Sequence, residues 1–286
     1  MRWRGERQST NIEDRRGMSV GRVAVGGGLG TIVIMILALL FGINPQQLFE
    51  QLPSDQAPGV QSSRPTSPEE DELKQFVSVV LAKSEDVWTD VFRQNGRQYR
   101  EPTLVLFTDR VQSACGITGA AVGPFYCPGD ERVYIDLSFY EQLRREFKAP
   151  GDFAQAYVVA HEVGHHVQKL LGITDRIDSL RGQVGEVEAN QMSVRLELQA
   201  DYLAGVWAHY GQEQFRFIEP GDVEGAIQSA NAIGDDRLQK RAGGFVSPEK
   251  YTHGTSAQRV KWFSLGLKTG DMRTLKAMFE MPYEQL

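Results

Sequence analysis

Residues 152–171 read DFAQAYVVAHEVGHHVQKLL, and the rest of the chain is best understood outward from them. Asp152 can cap a helix start and Gly172 can stop one, so the apolar spacing between them predicts a helix over Asp152–Leu171. On a helix, positions i and i+4 are neighbours, so His161 and His165 present two imidazoles to one point, with Glu162 beside them. Neutral imidazoles bind zinc without cancelling its Lewis acidity. A nearby carboxylate can then take the proton of a bound water whose pKa the ion lowers toward about 7. Two satisfied histidines on a buried helix would fit the same residues, but the apolar turn Tyr157–Ala160 suits a helix buried behind a metal site. His166, about 100° around the helix from His165, is expected beside the site or at the surface rather than as a ligand.

A hydrolytic site for one Zn2+ ion needs a third protein ligand and an open position. Downstream, a second long helix over Gly185–Tyr210 carries Arg-Leu-Glu-Leu-Gln-Ala-Asp, residues 195–201. Glu197 on an antiparallel helix can complete the coordination, and Asp201, one turn on, can accept the outer N–H of a ligand histidine. The competitors are Glu186, Glu188 and His209, whose places in the first and last turns the helix macrodipole alone would explain.

From Val23 to Ile43 the sequence VAVGGGLGTIVIMILALLFGI holds no charge, and as a helix it would be about 31 Å long, the thickness of a bilayer core. It lacks the small-residue exit of a cleaved signal peptide. Arg2, Arg4, Arg7, Arg15, Arg16 and Arg22 precede it, whereas acids dominate after it, so the positive-inside rule keeps residues 1–22 in the cytoplasm and the bulk of the chain outside. Residues 44–67, rich in Pro, Gln and Ser, read as a flexible tether to a domain over 68–286. In an outside compartment Cys115 and Cys127, twelve apart across a turn-rich stretch, are expected to form a disulfide.

Ser67-Pro68-Glu69-Glu70 opens a helix to Gln94, Thr103–Thr108 and Arg132–Leu137 are strands, and Asp222–Arg237 and Ser256–Leu265 are further helices. Few strands followed by many helices give an α+β fold, mainly helical with a small sheet. The net charge of -6 argues against nucleic acid as a partner.

The chain resembles the bacterial neutral zinc metallopeptidase family, membrane-anchored zincins with HExxH and a distal Glu. The resemblance rests on Met1–Gly5 through Glu13–Gly17, Ser113–Gly116, Tyr126–Pro128, Tyr134–Leu137, HEVGHHVQ, Glu197–Asp201, Ile233–Asp236 and Thr252–Ser256. It implies a zincin-like domain behind one N-terminal transmembrane helix, peptidase chemistry and Glu197 as third ligand.

The expected reaction is peptide hydrolysis outside the cytoplasmic membrane, on a peptide or protein substrate. His161, His165 and Glu197 hold the ion and Glu162 is the general base. His253, in a turn before a helix, is the candidate for stabilising the oxyanion, with a structural role as its alternative; Arg259 is a weaker candidate, with a surface salt bridge as the alternative. The strand Arg132–Leu137 is the expected edge for an extended peptide, by analogy with zincins. The rival readings are a zinc-stabilised docking module in the envelope without turnover, and a zinc amidase acting on cell-wall peptides.

Overall fold

The computed structural model describes residues 1–18, 67–120, 123–149, 151–241 and 247–286. The run 23–43 and the tether 44–66 lie outside them; among the described residues no helix is long and apolar enough to cross a membrane.

In chain order, a strand β1 (Ile12–Asp14) precedes helix α1 (Pro68–Gln94), strands β2 (Thr103–Phe107), β3 (Arg110–Ser113), β4 (Gly116–Gly119), β5 (Phe125–Cys127) and β6 (Arg132–Asp136), and helix α2 (Ser138–Arg145). Then come α3 (Asp152–Leu170), α4 (Ile173–Arg181), α5 (Glu186–Phe215), α6 (Asp222–Ala232), α7 (Asp235–Arg241), α8 (Ser256–Thr269) and α9 (Thr274–Glu280). The mainly helical α+β expectation holds.

Ser67 caps α1 as its sequence suggests: its hydroxyl accepts from the Glu70 N–H while the Glu70 carboxylate accepts from the Ser67 N–H. Asp152 does not cap α3; Gly151 occupies that place at φ 111°, and the Asp152 carboxylate instead accepts from the Trp3 indole at 2.7 Å. The helix expected over Asp222–Arg237 breaks at Ile233-Gly234, because Gly234 sits against the start of α8: a Cβ there would lie 2.4 Å from the Ser256 nitrogen.

The sheet runs β1-β2-β6-β5, with β1, β2 and β6 parallel and β5 antiparallel to β6. Two expectations are corrected here. The strand at Arg132–Asp136 is interior rather than an edge, since β2 and β5 flank it; β5 is the edge. Residues 1–18, the described part of the expected N-terminal segment, are not apart from the domain. Ile12, Glu13 and Asp14 pair with Leu104, Val105 and Leu106, and Met1 and Trp3 are buried in the same core as Phe76, Phe153 and Trp207. A three-residue strand with partly exposed side chains carries no periodic signal, so only the tertiary pairing reveals it.

The β3–β4 hairpin is a separate ribbon, and the expected Cys115–Cys127 disulfide is present, pinning its turn to the end of β5. Behind the sheet, α3 is buried on nearly every face, packed between α1, α5 and α6.

Candidate metal centre

The glycine inside His-Glu-Val-Gly-His decides how close α3 and α5 come. A Cβ on Gly164 would lie 3.0 Å from the Ala200 oxygen and 3.2 Å from its Cα, so the two backbones are in contact there. That contact brings Glu197 down onto the histidines. His161 Nε2 lies 3.1 Å from Glu197 Oε2, and His165 Nε2 lies 3.4 Å from Glu197 Oε1. One donor atom from each residue falls within 4.8 Å of the others. A tetrahedral ion with bonds of 2.0–2.1 Å has ligand–ligand edges of about 3.3 Å, so this donor set fits one zinc ion.

Both imidazoles are oriented from behind. The His161 Nδ1–H donates to Asp201 Oδ1 at 2.9 Å, and the His165 Nδ1–H donates to Gln168 Oε1 at 2.9 Å, leaving each Nε2 toward Glu197. Asp201 is wholly buried and also accepts from Arg259 Nε at 2.8 Å, from Arg259 Nη2 at 3.0 Å and from the Tyr157 hydroxyl. Gln168 is fixed in turn by donating to the Leu196 carbonyl and to Gln199, whose amide donates to the Leu275 carbonyl.

The charges follow this geometry. Burial alone would raise the Asp201 carboxyl, but Arg259 and His161 outweigh it and hold the group below its ordinary value. Burial likewise opposes ionisation of Glu197, yet His165 and His161 hold it well below the usual carboxylate range. Without an ion, burial lowers His161, but the Asp201 carboxylate more than compensates and pushes it up to about 10. A proton on His161 Nε2, shared with Glu197 Oε2 at 3.1 Å, would occupy the place an ion takes, so metal and proton would compete. Glu162, 7% exposed, is raised by burial, which makes its carboxylate a stronger base.

The other sequence candidates are distributed as follows. Glu186 and Glu188 are exposed at the first turn of α5, and His209 bonds the Leu267 carbonyl far along that helix, so none joins the cluster. His166 is a fully buried core residue: its Nε2–H donates to the Arg100 carbonyl at 2.6 Å and its Nδ1 accepts from the Tyr126 hydroxyl at 3.0 Å. His253 lies at the mouth of the site with its side chain half exposed, and Asp235 accepts from three successive backbone N–H groups of its turn, those of Thr252, His253 and Gly254. Arg259 is neither surface salt bridge nor free oxyanion partner; it is 2% exposed and committed to Asp201.

Sequence reading missed Tyr157, Gln168 and Gln199. Tyr157 stands four residues before His161 and Gln168 three after His165, so helical spacing carried a signal for both; Gln199 offers none. The cluster opens into a cleft of about 530 Å³, lined by Phe125 and Tyr126 of β5 and by Ile233, Leu238 and His253. A second cavity of about 590 Å³ lies between α1, α4 and α9, and among the described residues no such ligand cluster lines it.

The sequence profile of the family described as "putative neutral zinc metallopeptidase" matches residues 1–278. The chain belongs to that family. Among its family relatives it is 47% identical over 280 residues to "Uncharacterized protein YpfJ" of Escherichia coli K12, covering 95% of this chain and 96% of that one. It is 40% identical over 250 residues to "Uncharacterized protein Rv2575" of Mycobacterium tuberculosis H37Rv, covering 82% of each. No solved structure matches it. The family match begins at residue 1, so it includes the arm that forms β1.

Proposed function

We propose that this chain is a zinc-dependent peptidase attached to the bacterial cytoplasmic membrane through residues 23–43, with its 68–286 domain on the outer side. The observation that carries the chemistry is the triangle of His161, His165 and Glu197 with the buried Glu162 beside it, all at the floor of one cleft. The Cys115–Cys127 disulfide supports an oxidising compartment.

His161, His165 and Glu197 hold the ion, and Asp201 and Gln168 keep the two rings in the tautomers that allow it. When bound, zinc supplies a Lewis acid that polarises the scissile carbonyl and the attacking water. Glu162 takes the proton of that water and passes it to the leaving amine. His253 faces the developing oxyanion; a hydrogen bond to Asp235 raises its pKa and favours the donor form. An extended peptide adds antiparallel to β5, the edge strand at the cleft, rather than to β6. Phe125, Phe139 and Leu196 line the cleft and would exclude water from the reacting bond.

The test is zinc content and peptide turnover of the full-length protein beside Glu162→Gln and Glu197→Ala. Glu162→Gln should keep its zinc and lose turnover by about 10²–10⁴-fold. Glu197→Ala should lose zinc and turnover together. A wild type that binds zinc stoichiometrically but cleaves no peptide would favour the docking module, in which the ion is structural. Cleavage confined to the amide bonds of cell-wall peptides would favour the amidase.

A further inference from the structure

The arm before the apolar run and the domain after it are one folded unit, built together at the point where the described chain leaves and returns. At that corner Arg16 donates to the Glu70 carbonyl at 2.9 Å and pairs with Asp71 at 3.2 Å, while Lys74 pairs with Asp14 at 3.0 Å. Farther along, Asn11 donates to Glu85 and Arg7 pairs with Glu85 and Asp86, against a Glu85 side chain only 4% exposed. The arm also reaches the metal helix: Trp3 packs edge-on against Phe76 and its indole donates to Asp152, the first residue of α3.

These contacts give the arginines of the arm another purpose. Arg4 pairs with Glu72, Arg7 with Glu85 and Asp86, Arg15 with Glu13, and Arg16 with Asp14 and Asp71. Five of the six cations that precede the run are therefore Arg2, which donates to backbone carbonyls near the end of α5, and four members of ion pairs within the fold. Three of them, Arg4, Arg7 and Arg16, meet acids of α1, and the other two are also held within the fold, so their number is not independent evidence of a cytoplasmic location. A single crossing by a 21-residue helix would carry the chain about 30 Å, to the far side of the bilayer. The polar stretch from Asn44 to Thr66, with Glu50, Asp55 and Arg64, is unsuited to crossing back, because charges in the hydrocarbon core cost several kcal/mol each.

We propose that residues 1–18 and 68–286 lie on the same side of the membrane, the arm serving as an integral strand of the peptidase domain. The proposal rests on the membrane-attachment reading above for its bilayer, and it revises the expectation that the arm lies in the cytoplasm while the domain lies outside. A practical consequence is that a chain cut to begin at Ser67 lacks β1 and the Trp3–Asp152 contact, and exposes the β2 edge.

The test uses the full chain, whose two native cysteines are joined to each other, so introduced thiols react alone. Arg4→Cys and Glu72→Cys replace an exposed ion pair between arm and α1, and Arg273→Cys marks the domain at a side chain 91% exposed. In native membranes a short bis-maleimide should join the Arg4→Cys/Glu72→Cys pair in most chains, while zinc content stays at the wild-type level. In sealed spheroplasts a membrane-impermeant maleimide should treat Arg4→Cys and Arg273→Cys alike, labelling both or neither until detergent is added. Labelling of one without the other, or absence of the crosslink in chains that retain zinc, would overturn the proposal. Alkaline extraction separates the two readings: a chain released from membranes ends the attachment, whereas the crosslink still decides whether arm and domain are together.

Discussion

The Asp201→Asn substitution separates the two tasks that Asp201 performs. Its carboxylate accepts from both Arg259 nitrogens, the His161 ring and the Tyr157 hydroxyl, with neither Asp201 nor Arg259 appreciably exposed. Neutralising it leaves the Arg259 guanidinium buried without a counter-charge, a situation that costs about 3–5 kcal/mol. Against a total stability of about 5–15 kcal/mol that is a large fraction. The same change weakens the orientation of His161, which should reduce zinc affinity about 10–100-fold. Arg259→Met in the Asp201→Asn background removes the stranded charge, so most of the lost stability should return. Zinc affinity should not return with it, because His161 still lacks its carboxylate. Urea unfolding of the metal-free full-length protein in mild detergent measures the first quantity, and competition with a chromophoric chelator measures the second. If Asp201→Asn unfolds within about 1 kcal/mol of wild type, less than the stranded-charge penalty allows, or if the double variant recovers zinc affinity along with stability, the reasoning is wrong.

Replacing His166 by Phe should destabilise the protein by about 1–3 kcal/mol, because the Arg100 carbonyl loses its donor, while zinc content stays unchanged; equilibrium unfolding and metal analysis check the two halves. Converting both Cys115 and Cys127 to Ser should lower stability by about 3 kcal/mol in the chain-entropy model, read as a shift in the denaturant midpoint. The arm should respond to acid through Asp14. Burial alone would raise this carboxyl, but Arg16 and Lys74 hold it well below the usual carboxylate range. Its contribution is then complete above the unfolded value near pH 4 and is lost as pH falls through the folded value. Hydrogen exchange at Arg15, whose amide donates to the Leu106 carbonyl, should therefore be faster in Asp14→Asn than in wild type at neutral pH and converge with it in acid; parallel profiles would refute the assignment.

The residues that can touch a metal were legible in the sequence because helical spacing is a local property. His161 and His165 share a face by their separation alone, and Glu197 and Asp201 are one turn apart on a second helix whatever surrounds them. The long helices were legible for the same reason, as was the disulfide from a count of two cysteines. What joins these pieces is not local. Gly164 reads as an ordinary residue between two histidines until α5 lies against it, and only that contact sets the distance from Glu197 to both rings. Arg259 looks like a surface cation on a short amphipathic helix, and becomes the counter-charge of Asp201 only when α8 packs on α5. The sequence offered Arg132–Leu137 as the edge and gave no sign of β5; only strand order shows that β6 is interior and β5 is an edge. The arm shows the limit most clearly. Its arginines, counted along the chain, resemble a topology signal, because counting does not register the acids of α1 that lie beside them in space. Short-range spacing fixes which side chains share a face of one element; which faces meet depends on contacts between residues tens to hundreds of positions apart, and those exist only in the folded chain.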